Sequence, residues 1–120
     1  MDDETAKELG LRALAAGFEW AGGAVDGRTR ERYEDGDGAW VVSKWPDFRD
    51  PATLGVMLRQ FIDAWHPVRV RNGATDEQWR DYKRALSLAA RWLGGDATVD
   101  DELIAALVAA LQAAKEVGDE

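Results

Sequence analysis

Arg28, Arg30 and Arg32 stand at alternate positions. On a strand, that spacing turns all three guanidiniums to one face. Each guanidinium is a planar fork that meets two oxygens of a carboxylate or phosphate at once, so such a face suits an anion or an acidic partner. The competing reading is a solvated face balanced by Glu31, Glu34 and nearby carboxylates. A second basic set comprises Arg69, Arg71, Arg80, Lys83, Arg84 and Arg91. Within it, Arg80, Lys83, Arg84 and Arg91 recur at helical spacing. Residues 59–91 carry seven basic and four acidic side chains, which makes this the one positive region of the chain. Either Asp76, Glu77 and Asp81 neutralise it, or Arg80 and Arg84 lead an anion-binding or partner-binding patch.

The opposite charge gathers at the two ends. Residues 1–19 sum to −3 and residues 96–120 to −6, with Asp100, Asp101 and Glu102 the densest cluster. If the first and last helices are neighbours, they form one acidic surface. Such a surface either aids solubility or occupies a basic groove by mimicking nucleic acid. Asp26, Asp35 and Asp37 resemble part of a calcium loop, but the twelve-position spacing and closing glutamate are missing, and a hairpin turn fits better. His66 is the sole histidine and precedes Pro67, where a capping or surface role is expected. Ser43 and Ser87 sit in no nucleophile motif, and no glycine-rich phosphate loop is present. Without cysteine there is no disulfide, zinc–thiolate site or thiol chemistry. The residues therefore assign no catalytic group, no metal and no cofactor. A carboxylate pair meeting in a cleft is the one route left to an enzyme.

The elements that must position these groups read as α+β: a three- to four-stranded antiparallel meander packed with about four helices. Residues 3–16 form the first helix through Ala6, Leu9, Ala13 and Ala16, and Gly17 stops it. Residues 18–45 read as the meander. Gly22-Gly23, Asp26-Gly27 and Asp35-Gly36-Asp37-Gly38 supply its turns, and Ala39 to Trp45 is the clearest strand. Asp50 then caps a helix over 51–65, with Pro51 at its first position and Leu54, Met57, Leu58, Phe61, Ile62 and Trp65 inward. His66-Pro67 is expected to end that helix, leaving 68–71 to add a short strand. Thr75 and Gln78 form a capping box for a helix over 76–93, and a last helix covers 99–116. Of the six tryptophans, Trp65, Trp79 and Trp92 fall on helix seams. Trp20, Trp40 and Trp45 fall in the meander, where Trp45 and Trp40 are candidates for an interface as well as for packing.

The chain has 120 residues with 23 acidic and 15 basic side chains, a formal charge of −8, which fits one domain and argues against a nucleic-acid coat or an anionic-membrane binder. The start, Met1-Asp2-Asp3-Glu4, lacks the basic and apolar segments of a secretory signal, and no apolar run approaches a membrane span. A cytoplasmic protein is expected.

Arg12-Ala13-Leu14-Ala15-Ala16-Gly17-Phe18-Glu19-Trp20, Gly38-Ala39-Trp40-Val41 and Pro46-Asp47-Phe48-Arg49-Asp50-Pro51-Ala52-Thr53-Leu54-Gly55 carry a resemblance. Together they resemble small uncharacterised proteins encoded by bacteriophages and prophages. In those, a helix ends in an Ala-Gly-aromatic step, a short Trp-containing sheet follows, and a second helix opens on Asp-Pro-Ala-Thr-Leu-Gly. The likeness spans about residues 6–65 and returns at 101–114. It implies an accessory protein acting in a host cytoplasm and brings no assigned residues with it. The resulting expectation is a non-enzymatic inhibitor of a bacterial defence system, resembling an anti-CRISPR protein or sequestering a nucleotide signal. Its partner would be a host defence protein or a small anionic nucleotide, with homo-oligomers allowed and no direct nucleic-acid or membrane binding. The alternatives are a virion or assembly component and a small carboxylate-dependent enzyme.

Overall fold

The computed structural model describes residues 1–34, 44–95 and 99–118. Among the described residues, four helices make up the fold: α1 Asp3–Ala15, α2 Pro51–Arg71, α3 Asp76–Leu93 and α4 Asp101–Gly118. The chain is 66% helical and 4% strand, and no sheet forms among the described residues. The α+β meander expected over 18–45 is therefore corrected to a mostly helical fold, in which residues 16–34 and 44–50 lie outside any helix.

Some backbone pairing survives, with Tyr33 N–H on the Ala24 carbonyl (2.8 Å), Asp26 N–H on the Glu31 carbonyl (2.9 Å) and Asp47 N–H on the Val25 carbonyl (3.1 Å), but side-chain acceptors take other N–H groups that a meander would need. A strand persists when its backbone N–H groups meet the next strand. Here the Glu19 N–H donates to Gln60 Oε1 (2.9 Å), and Val25 N–H to Thr53 Oγ1 (2.8 Å). Thr29 N–H donates to Asp26 Oδ2 (3.0 Å), and Trp45 N–H to Asp26 Oδ1 (3.1 Å). Only the isolated bridges Val25–Arg32 and Asp26–Pro46 remain of a ladder among the described residues. Arg30, at φ 65°, breaks the strand expected over 29–33. Residues 35–43, with Trp40 and most of the third expected strand, lie outside the described residues.

The short strand expected at 68–71 is also corrected, because α2 runs through Pro67 to Arg71. Val68 continues the buried stripe of Phe61 and Trp65 by one further helical step. Pro67 removes the bond to the Asp63 carbonyl, and both residues are exposed, so water reaches the freed group. Asn72 ends the helix in the left-handed region (φ 52°), its N–H bonded to the Val68 carbonyl at 2.8 Å. α1 stops at Ala15 in a Schellman turn. Phe18 N–H reaches the Ala13 carbonyl and Gly17, at φ 107°, takes the left-handed position.

α4 is the hub and packs against α1, α2 and α3. Its buried residues include Leu103, Ile104, Leu107, Val108, Leu111, Ala106, Ala110, Ala113 and Ala114. The alanines let neighbouring helices approach closely, and the larger side chains fill the gaps between them. Trp65 Nε1–H donates to the Ala110 carbonyl (2.8 Å), which satisfies the indole inside the core. Between α2 and α3, rings rather than backbones meet: Trp65 lies 4.8 Å from Tyr82 and 5.5 Å from Trp79, and Phe61 5.6 Å from Tyr82.

α1 and α4 run parallel. Their N-terminal halves line one crevice, with Thr5, Glu8 and Arg12 facing Asp101, Glu102 and Ala105, and Lys115 Nζ reaches the Ala15 carbonyl at the other end (3.4 Å). Parallel neighbours align their dipoles unfavourably, and Asp3, Glu4, Asp101 and Glu102 in the first turns offset the two positive ends. Among the described residues, no helix is long and apolar enough to cross a membrane.

Gly10 on α1 faces the Pro46 carbonyl so closely that a Cβ would overlap it. Gly→Ala inside a helix ordinarily stabilises by about 0.5–1 kcal/mol. Gly10→Ala should instead destabilise, by about 1–3 kcal/mol, because α1 and the 45–46 segment must separate. Urea unfolding followed by circular dichroism decides the sign.

Candidate functional site

The connection between α1 and α2 closes around three aspartates. Asp26, two residues into the first bridge region, takes Thr29 N–H and Oγ1–H on Oδ2 and the Trp45 N–H on Oδ1. It pins the Asp26-to-Arg30 turn to the segment entering Pro46. Asp50 is the N-cap of α2, accepting from Thr53 N–H (3.0 Å) and Thr53 Oγ1–H (2.9 Å). Thr53 Oγ1 in turn accepts from Val25, so one short relay ties the helix start to the turn. Arg32 completes Asp50 as a fork, Nη2 to Oδ1 at 3.0 Å and Nη1 to Oδ2 at 3.1 Å, and Nη1 also meets the Gly23 carbonyl.

Asp47 is the centre. Its Oδ1 accepts from the Arg49 backbone N–H (3.0 Å) and Nε (2.9 Å), and its Oδ2 from Arg49 Nη2 (2.8 Å) and Arg30 Nη1 (2.5 Å). Arg49 uses its remaining terminal nitrogen, Nη1, on Asp3 Oδ1 at 2.7 Å, which fastens α1 to the connection. These groups line a cleft of about 500 Å³ bounded by Asp3, Gly27, Arg30, Asp47, Arg49, Asp50 and Pro51.

The layering of charge in this cleft is unequal. Asp47 is 0% exposed, whereas its partners Arg30 and Arg49 are 56% and 29% exposed. Asp50 and Arg32 repeat the pattern at 10% and 54%. Carboxylates lie beneath and guanidiniums outside. Burial alone would raise the Asp47 carboxyl, but the Arg49 and then the Arg30 hydrogen bonds hold it below the ordinary value. Asp26 and Asp50 follow the same logic. Burial opposes ionisation, and Thr29 with Trp45, or Arg32 with Thr53, outweighs it. Arg49 is raised, through Asp47 first and Asp3 second. Asp47 and Asp50 thus share a cleft as two committed anions. A general acid needs a carboxyl moved the other way, so the pair can orient cations but not deliver a proton near neutrality.

Of the residues singled out by sequence, Arg30 and Arg32 reach this site, while Arg28 is exposed on the adjoining turn. Trp45 is buried, its ring lying over Gly27 so tightly that a Cβ there would overlap the indole. Arg80 and Arg84 lie on the exposed side of α3, away from the cleft, and Arg84 Nη2 pairs with Glu102 Oε1 (3.1 Å). Asp100 caps α4 through the Leu103 N–H (2.9 Å), and Asp101 and Glu102 line the crevice shared with α1. His66 is exposed on α2. Among the described residues, no group of three His, Asp or Glu side chains is placed to hold a metal ion.

Sequence reasoning missed Asp47, Arg49 and Asp3. The segment Pro46-Asp47-Phe48-Arg49 read only as a rigid connection. A usable signal was the acid set between Pro46 and Phe48, both buried, which marks a carboxylate that must find cations. Comparison with protein-family models, with curated proteins and with solved structures returns no match.

Depressed carboxyls make stability dependent on pH in a defined direction. Their contribution is complete above the unfolded aspartate value, about 3.9, and is lost as pH falls through the lower folded values. Thermal melts should hold from pH 7 to about 5 and drop steeply below about 4. Asp47→Asn should lower stability by about 1–3 kcal/mol at pH 7, because a buried amide cannot accept all four of the hydrogen bonds the carboxylate takes, and should flatten the acid limb.

Proposed function

We propose that this is a non-catalytic accessory binding protein of the phage type, which blocks a bacterial defence component by seating its acidic end in that component's basic nucleic-acid groove. The observation that carries this reading is the parallel pairing of α1 with α4. It sets Glu8 beside Asp101 and Glu102 along one crevice, all three exposed, with Asp100 exposed at the cap of α4. Asp101 and Glu102 stand on the first turn of α4 and Glu8 on the second turn of α1, so the helices set the spacing of the field they project. Helix-dipole compensation accounts for acids in the first turns, but not for Glu8. Ionised, fully paired Asp47 and Asp50 fit a scaffold role in such a protein, since both hold arginines and helix caps in place.

The test is affinity capture from host lysate with wild-type chain and with Glu8→Gln/Asp101→Asn/Glu102→Gln. Wild type should retain a nucleic-acid-binding protein that double-stranded DNA displaces. The triple variant, folded by circular dichroism, should lose at least about tenfold in affinity for it. Capture of the same protein by both chains, or indifference to DNA, would sink the reading.

A further inference from the structure

The cleft around Arg30 and Arg49 offers more than the acidic end uses. Arg30 engages Asp47 through Nη1, and its side chain is 56% exposed at the cleft mouth. Arg49 gives Nε and Nη2 to Asp47 and turns Nη1 outward. Asp47 takes bonds on both oxygens and is out of solvent, so it fixes the two guanidiniums without presenting its own charge at the surface. Asp50 is likewise covered by Arg32. The backbone adds to this placement, because Arg30 sits at φ 65°, a conformation glycine or asparagine adopts more readily. An arginine held there aims its guanidinium at Asp47 and the cleft.

One oxyanion already occupies the outward donor. Asp3 Oδ1 lies 2.7 Å from Arg49 Nη1, and the Asp3 side chain is 90% exposed. It is a carboxylate on the first turn of α1, held by this ion pair and by the helix dipole. It shows that the donor accepts an oxyanion, and it is the lining carboxylate whose charge is not covered by the fold.

We infer that this cleft is an oxyanion-binding site in which a phosphoryl or carboxylate group of a ligand is gripped between Arg30 and Arg49, with Asp3 as a built-in competitor that the ligand displaces. The volume, about 500 Å³, admits a nucleotide-sized molecule. The site is distinct from the crevice of Glu8, Asp101 and Glu102, so it stands or falls apart from the acidic-end reading.

Calorimetric titration with inorganic phosphate, a cyclic dinucleotide and succinate separates the sources of that oxyanion. Four chains are compared: wild type, Asp3→Asn, Glu4→Gln and Arg30→Gln. Asp3→Asn should bind phosphate at least about fivefold tighter than wild type. Glu4→Gln removes the same charge from the same turn and should change affinity less than about twofold. Arg30→Gln should abolish measurable binding while its melt still reports a folded chain. Tightest binding of the dinucleotide assigns a phosphoryl ligand, and tightest binding of succinate assigns a carboxylate. No binding to Asp3→Asn at millimolar ligand, or equal gains for Asp3→Asn and Glu4→Gln, overturns the inference.

Discussion

A carboxylate removed from water has to find cations and N–H donors, or it unfolds its surroundings. Asp47 meets that requirement with two arginines from different segments, one ahead of it and one just after it. The described parts of the connection between α1 and α2 follow from this. Arg30 can reach Asp47 only if the turn capped by Asp26 forms, and Arg49 can reach Asp3 only if α1 lies alongside. A buried pair broken at one end costs about 3–5 kcal/mol. That is a large part of the 5–15 kcal/mol margin on which a domain stands. Among the described residues the connection is therefore ordered by ion pairing and side-chain capping, with no sheet.

The helices are ordered by different physics. α4 has little polar face to offer solvent beyond its ends, so it must be surrounded, and α1, α2 and α3 do so from separate sides. The two regimes join where Gly10 of α1 meets Pro46 and where Thr53 of α2 accepts from Val25. The charge distribution inherits this layout. Acids favoured at first turns come together because α1 and α4 are parallel, while the outward side of α3 keeps Arg80, Lys83 and Arg91. A chain of net −8 is in this way divided between an acidic end, a guanidinium-capped cleft and a basic helix face.

The helices were legible because their signals are local. Asp50 with Pro51, the Thr75–Gln78 box and the apolar spacing of α2 to α4 each act within a few residues. Residues 18–45 were not legible, and the reason is physical. Alternating apolar residues and paired glycines look the same whether a backbone N–H meets a neighbouring strand or the oxygen of Asp26, Thr53 or Gln60. The choice lies in contacts across tens of residues, which no short window contains. Pro67 misled for a similar reason: its local penalty is real, but Val68 has a core position to fill. Arg30 and Arg32 were recognised by type, while Asp47 was seen only as part of a bend and Asp50 only as a helix cap, not as their partners.

The parallel pairing of α1 with α4 also sets how the molecule answers force. α1 enters the fold at the same end as α4, and α4 leaves about 27 Å further on. Tension applied through the start of α1 and the finish of α4 draws the two helices past each other along their common seam. The whole row of side-chain contacts must then slip at once, along with the Lys115–Ala15 contact. Antiparallel neighbours pulled from one shared end would unzip contact by contact at much lower force. α3 runs antiparallel to α4, with Arg84 paired to Glu102 and Thr75 and Glu116 lining one crevice, and lies off that line of tension. The chain thus combines an extensible helical composition with a mechanically stiff arrangement of its first and last elements.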